Sequence, residues 1–211
     1  MKHQIIKIVF LCILISSSAQ SQFIRGYGLK VGAVSANQTY DYTVAFNFSP
    51  DSRWGLDVGG FIEVLDIPYM SVLGELHYIQ KGFSEKFQET SVDYPEGTGR
   101  YITLKPRADY FSIPLLAKFR VELGLVTPYV IAGPRFDFLA GKKAEGYGVV
   151  LDHLKSADVG FSVGGGAEIQ LTSGPAILGE IRYSPDFTEA FKNSTLTVKN
   201  QSVELLVGVK F

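Results

Sequence analysis

Val203-Glu-Leu-Leu-Val-Gly-Val-Lys-Phe211 alternates without a break. Val203, Leu205, Val207, Val209 and Phe211 fall on one side, and Glu204, Leu206, Gly208 and Lys210 on the other. Side chains along a strand point alternately to opposite faces, so this stretch reads as a strand with one apolar face and one charged face. An exposed aromatic strand suits water poorly at a terminus, where chains lie loose at the surface. Lipid removes that difficulty. The tail therefore predicts a protein whose apolar face points outward.

The same period-2 pattern recurs over 26–36, 54–64, 70–83, 109–121, 128–140, 158–171 and 176–186, with 201–211 as the eighth segment. The connections alternate in length. Long ones cover 37–53, 84–108, 141–157 and 187–200; short ones cover 65–69, 122–127 and 172–175. An up-and-down barrel with both termini on one side produces this alternation, and a soluble sandwich gives no reason for it. The expected fold is all-β: an eight-stranded antiparallel transmembrane barrel, with the 201–211 strand closing on 26–36.

The placement of charge supports lipid outside. In strand two, Trp54, Leu56, Val58 and Ile62 oppose Asp57, Phe61 and Glu63; in strand four, Phe111, Ile113, Leu115, Ala117, Phe119 and Val121 oppose Ser112, Lys118 and Arg120. A Lys or Arg on the lipid face near the midplane costs roughly 2–4 kcal/mol, which sends charge inward. The expected interior network comprises Lys30, Asp57, Glu63, Glu75, Lys81, Lys118, Arg120, Glu168, Glu180, Arg182, Glu204 and Lys210, joined by Arg135 and Asp137 if the strand around Gly133-Pro134 keeps its phase. The two signs balance, as enclosed charges must if they are to pair. Eight strands leave a lumen that side chains fill, so a plugged barrel is expected rather than a channel. Pro114 and Pro134 each remove a ladder hydrogen bond in a sheet without edges, and a bulge is expected at each.

Residues 1–21 read as a secretory signal peptide: Lys2, His3 and Lys7, then an apolar run from Ile8 to Ile15, then small residues that place cleavage after Ala19. The remaining 22–211 form one barrel domain. Cys12 is the chain's single cysteine, so the mature protein has neither disulfide nor thiolate chemistry. Its charge is 18 Lys+Arg (20 minus Lys2 and Lys7) against 21 Asp+Glu, or −3, which is no footprint for nucleic acid.

Catalytic, cofactor and metal residues are expected to be absent. His77 reads as a hydrogen-bonded interior residue near Glu75; a catalytic base of a lipid-modifying enzyme would have to face the lipid. His153 reads as a loop residue with Asp158 the nearby carboxylate, short of a metal set. Gly164-Gly-Gly166 lacks the GxGxxG spacing and the helix of a phosphate loop.

Four stretches carry a family resemblance: Glu75-Leu-His-Tyr-Ile-Gln-Lys-Gly82, Tyr110-Phe-Ser-Ile-Pro-Leu-Leu-Ala-Lys-Phe119, Pro128-Tyr-Val-Ile-Ala-Gly-Pro134 and Val159-Gly-Phe-Ser-Val-Gly-Gly-Gly-Ala-Glu168. Across 23–211 the chain resembles the PorT-like small outer-membrane barrels of Bacteroidetes-type, Gram-negative bacteria. The resemblance implies an outer-membrane location with periplasmic termini, and it includes both prolines. Val207, Val209 and Phe211 are similar to the C-terminal signal read by the barrel-assembly machinery. Outer-membrane lipid is the other implied partner; an export-system or extracellular partner is left open. The classes weighed are a non-enzymatic envelope barrel acting through its external loops, a PorT-like export accessory, a lipid-modifying enzyme, and a soluble lipocalin-like binder.

Overall fold

The computed structural model describes residues 23–42, 50–89, 98–144, 154–172, 174–188 and 196–211. The expected leader lies outside them. Nine strands are present among these residues: β1 (Ile24–Tyr42), β2 (Asp51–Ile67), β3 (Met70–Gln88), β4 (Tyr101–Leu104), β5 (Arg107–Arg120), β6 (Val126–Lys143), β7 (Ala157–Gln170), β8 (Ala176–Pro185) and β9 (Leu196–Lys210). Every pairing is antiparallel, and the order β2-β1-β9-β8-β7-β6-β5-β3 closes through β2–β3. Eight staves therefore make a ring. β4 pairs with β3 alone, as a short flap beyond the rim.

The strands run longer than the alternation alone predicts. Parts of the expected loops 37–53 and 84–108 belong to β1, β2, β3 and β4. These stretches mix polar residues such as Asn37, Gln38, Asp51 and Lys86 with exposed Phe87, Tyr101 and Ile102, so the strict alternation that marks the apolar belt lapses in them.

Facing follows the alternation. On β5, Phe111, Ile113, Leu115 and Phe119 are exposed, as is Val121 just after it, whereas Ser112, Leu116, Lys118 and Arg120 are buried. The outward run from Phe111 to Val121 covers roughly ten residue steps, or about 33 Å of strand. Tilted by ~40°, that rises about 25 Å, the height of the apolar band of a membrane barrel. On β9, Val203, Leu205, Val207, Val209 and Phe211 are exposed, while Glu204 and Leu206 are buried. No helix among the described residues is long and apolar enough to cross a membrane; crossing by strands is a separate matter.

Neither proline makes a bulge, contrary to the expectation from the sequence. β5 and β6 hold one register from Tyr110↔Leu139 to Arg120↔Tyr129, and β6 and β7 hold theirs through Pro134↔Phe161. The ladder instead loses pairs between Pro114↔Arg135 and Ala117↔Ala132. Gly133 explains how register survives: a Cβ there would lie 2.0 Å from the Leu115 carbonyl oxygen, so the missing side chain lets the two backbones close up. The register shift on this pair falls at Asp109/Tyr110, where Ala140 is the extra residue.

Candidate functional site

The lumen is the chemically distinctive part of the molecule. Eleven of the twelve residues assigned to it from sequence are buried, and the twelfth, Lys210, has a side chain 10% exposed. Arg135 and Asp137 also face inward and are buried, because β6 keeps its phase through Gly133-Pro134.

The charges fall into three connected tiers. At the short-turn end, Glu63 accepts from Lys118 Nζ at 3.1 Å, Lys210 Nζ at 2.7 Å and Ser71 Oγ at 2.6 Å. Lys118 also donates to Glu168, which takes a second bond from Lys210 at 3.0 Å. Arg25 reaches in at 3.3 Å from Glu63 and bonds Glu122 at 2.8 Å in the β5–β6 turn. The Arg25 guanidinium holds the Glu122 carboxyl below the usual carboxylate range. Arg120 lies within 3.8 Å of Glu63 and 3.6 Å of Glu122.

In the middle tier, Lys30 Nζ donates to Glu75 at 2.7 Å and Glu180 at 3.0 Å. Arg182 reaches the same two carboxylates, with Nη1 at 2.8 Å from Glu75. The Tyr129 hydroxyl donates to Glu180 at 2.9 Å. His77 lies between Asp57, 2.6 Å from Nδ1, and Glu75, 3.2 Å from Nε2. It is a buried ring held by two carboxylates and turned away from the lipid face.

The third tier lies toward the long connections. Arg135 contacts Asp137 at 3.1 Å, Asp186, and Glu204 at 3.7 Å. Lys81 Nζ sits 2.5 Å from Asp137 and 3.6 Å from Asp186. Glu204 bridges downward to Arg182 at 3.8 Å and accepts from Ser202 at 2.8 Å.

Sequence reasoning missed Asp158, Asp186 and Arg25. Asp158 and Asp186 share the inward phase of β7 and β8, so the alternation contained them, but they sit at segment margins. Arg25 lies in the irregular register between Ile24 and Gly26, and no periodicity could place it.

Apolar clusters pack beside the tiers: Phe61, Leu73, Leu116, Tyr129, Ile131 and Leu178 in one, and Val34, Ala36, Ile79, Ala108 and Tyr110, level with the third tier, in the other. Aromatic rings also lie under the ammonium groups, with Lys118 Nζ 4.5 Å from the Tyr129 ring centroid and Lys30 Nζ 5.1 Å from that of Phe61. The Gly164–Gly166 run serves this packing: a Cβ at Gly166 would meet the Tyr129 ring at 2.8 Å. Burial of one unpaired ion costs several kcal/mol, so such a lumen is tolerable only because its charges pair.

Among the described residues no group of three or more His, Cys, Asp or Glu side chains is arranged to hold a metal ion. The arrangement brings oppositely charged side chains together inside the ring and leaves the apolar surface outside.

A family profile described as "Outer membrane protein beta-barrel domain" matches residues 19–192. No curated protein matches the chain. Among solved structures, the outer membrane protein OprG from Pseudomonas aeruginosa is 10% identical with a TM-score of 0.51, covering 91% of this chain and 98% of that one. Neisserial surface protein A (NspA) is 14% identical at a TM-score of 0.48, covering 88% and 97%. Ail of Yersinia pestis, solved with the heparin analogue sucrose octasulfate, is 15% identical at 0.42, covering 90% and 99%. At such identities the likeness to OprG speaks for the fold alone.

Proposed function

The chain belongs to the outer-membrane protein β-barrel family, and from that premise we propose that it is a closed, non-enzymatic barrel of the outer membrane that presents its long connections at the cell surface. The observation that carries this reading is the inversion of the molecule: exposed aliphatic and aromatic side chains around the outside, paired ions within. Arg182 of β8 bonds Glu75 of β3, on the opposite side of the ring, and Lys30 of β1 joins the same cluster, so these bonds span the lumen. A plug of that kind leaves no continuous water path and no accessible acid–base pair.

The short turns lie on the same side as β1's start and β9's end. Outer-membrane barrels keep short turns in the periplasm, which supports periplasmic termini and long connections outside; the leader over 1–21 is supported by its sequence pattern alone. Val207, Val209 and Phe211 then present an apolar face of β9 for recognition by the assembly machinery.

Two measurements test the reading. In planar bilayers the purified protein is expected to show no porin-sized steps; steady large openings would refute the plug. Labelling of intact cells is expected to reach introduced cysteines in the long connections but not one in the 122–125 turn; the reverse pattern would invert the topology. A stable export complex recovered with the detergent-extracted protein would instead favour the PorT-like accessory role.

A further inference from the structure

On one arc of the wall, the outward face above the apolar belt carries a cluster of cations. Arg107 of β5 and Lys143 of β6 are paired residues in register, so they stand side by side on the same face. Arg107 shares the phase of Phe111 and Ile113, which face lipid. Lys105 precedes it by two positions, in the link from β4 to β5, and Lys86 pairs with Thr103 of β4. Lys86, Lys105 and Lys143 are exposed. Lys86 Nζ lies 4.5 Å from the centroid of Tyr101, itself exposed. Arg107 is held by Asp109, its neighbour on the same face, at 3.0 Å.

Height decides what such a cluster meets. Tyr78, Phe111 and Phe138 lie in one row across β3, β5 and β6 and close the apolar belt on this arc. Arg107 stands four residues above Phe111, about 13 Å of strand. With the strand tilted by ~40°, it is about 10 Å above the row, in the headgroup zone. The outward positions past the belt on β1 and β9 differ: Ser35, Asn37 and Gln201, with Lys199 as the cation there. Among these described outward positions, one cation on β1 and β9 stands against four on the arc of β3, β5 and β6.

We propose that Lys86, Lys105, Arg107 and Lys143 form a docking surface for the phosphate groups of a phosphorylated glycolipid in the outer leaflet. The lipid's acyl chains lie along Tyr78, Phe111 and Phe138 below. Charge complementarity and continuity with the lipid-facing surface select this occupant over a soluble one. The proposal rests on the outward face being the lipid face.

The test uses the full-length protein in neutral detergent micelles, titrated with a bisphosphorylated disaccharide lipid and with its dephosphorylated form. Wild type is expected to bind the phosphorylated lipid more tightly. Lys105→Gln with Lys143→Gln is expected to weaken that binding about thirtyfold, with no change for the dephosphorylated lipid. Lys105→Arg with Lys143→Arg, and Lys199→Gln on the other arc, are expected to bind as wild type does. Heat-modifiable migration of each variant establishes that it is folded. Equal binding of both lipids, equal binding by the glutamine variant, or loss of the phosphorylated lipid to competing inorganic phosphate at matched concentration would overturn the proposal. So would a glutamine variant that loses a soluble sulfated polysaccharide while keeping the lipid. Release of wild type from membranes without detergent would defeat the membrane reading itself, before any lipid is added.

Discussion

Arg182 shows how the lumen is stabilised. Glu75, Glu180 and Glu204 surround it, from β3, β8 and β9. Replacing it with Met leaves three carboxylates short of a partner at no gain in polarity, and the expected loss is about 3–5 kcal/mol. Unfolding in urea, followed through Trp54, the chain's single tryptophan, measures it. Trp54 faces outward and reports on the lipid surface rather than the mutated tier. A second change, Glu75→Leu, is expected to recover part of that loss, because it removes one of the carboxylates left in excess; full additivity of the two losses would show that they do not interact. At this scale the sequence was informative about facing and silent about partners. Alternation says that Lys30 and Glu75 both point inward, but their 2.7 Å bond depends on the stagger of β1, β2 and β3, which no local pattern encodes.

At the scale of the strand, β5 offers the sharpest contrast. Leu115 lies in the middle of the apolar run, whereas Leu123 lies in the turn that follows it. Leu115→Arg is expected to cost roughly 2–4 kcal/mol of stability in a bilayer, and Leu123→Arg about 0–1 kcal/mol. Equal costs, measured by unfolding in lipid vesicles, would mean that the belt is wrongly placed. β9 gives a second test. Tyr27 and Phe211 exchange backbone hydrogen bonds at 3.1 and 2.8 Å, and their rings stack at 5.9 Å. Phe211→Ala is expected to slow assembly into membranes and to lower the temperature at which the heat-modified band appears. Wild-type assembly would count against that residue's role. Strand identity and phase were legible because lipid enforces a strict rule on every second residue. Strand length was not, since beyond the belt the rule lapses. The prolines were misjudged for a related reason: the cost of a missing N–H is visible in the sequence, but the accommodation by Gly133 across the pair is a property of two strands at once.

For the whole molecule, closure is what the alternating loops announced, and the register now gives it detail. β1 and β9 pair continuously from Gly28↔Lys210 to Tyr42↔Leu196. Nearly the full length of the folded chain separates the two partners at the first of these bonds. Contacts this remote along the chain form late and slowly, because the entropy of bringing the ends together must be met before the bonds repay it. The remaining ladders join strands that are neighbours in sequence or separated only by the β4 flap. The growing sheet therefore carries two unpaired edges until the final pairing removes both. That pairing also encloses the lumen, so the cross-barrel ion pairs cannot all mature before it. Completion of the barrel is accordingly the property of one joint, the pairing of the first strand with the last.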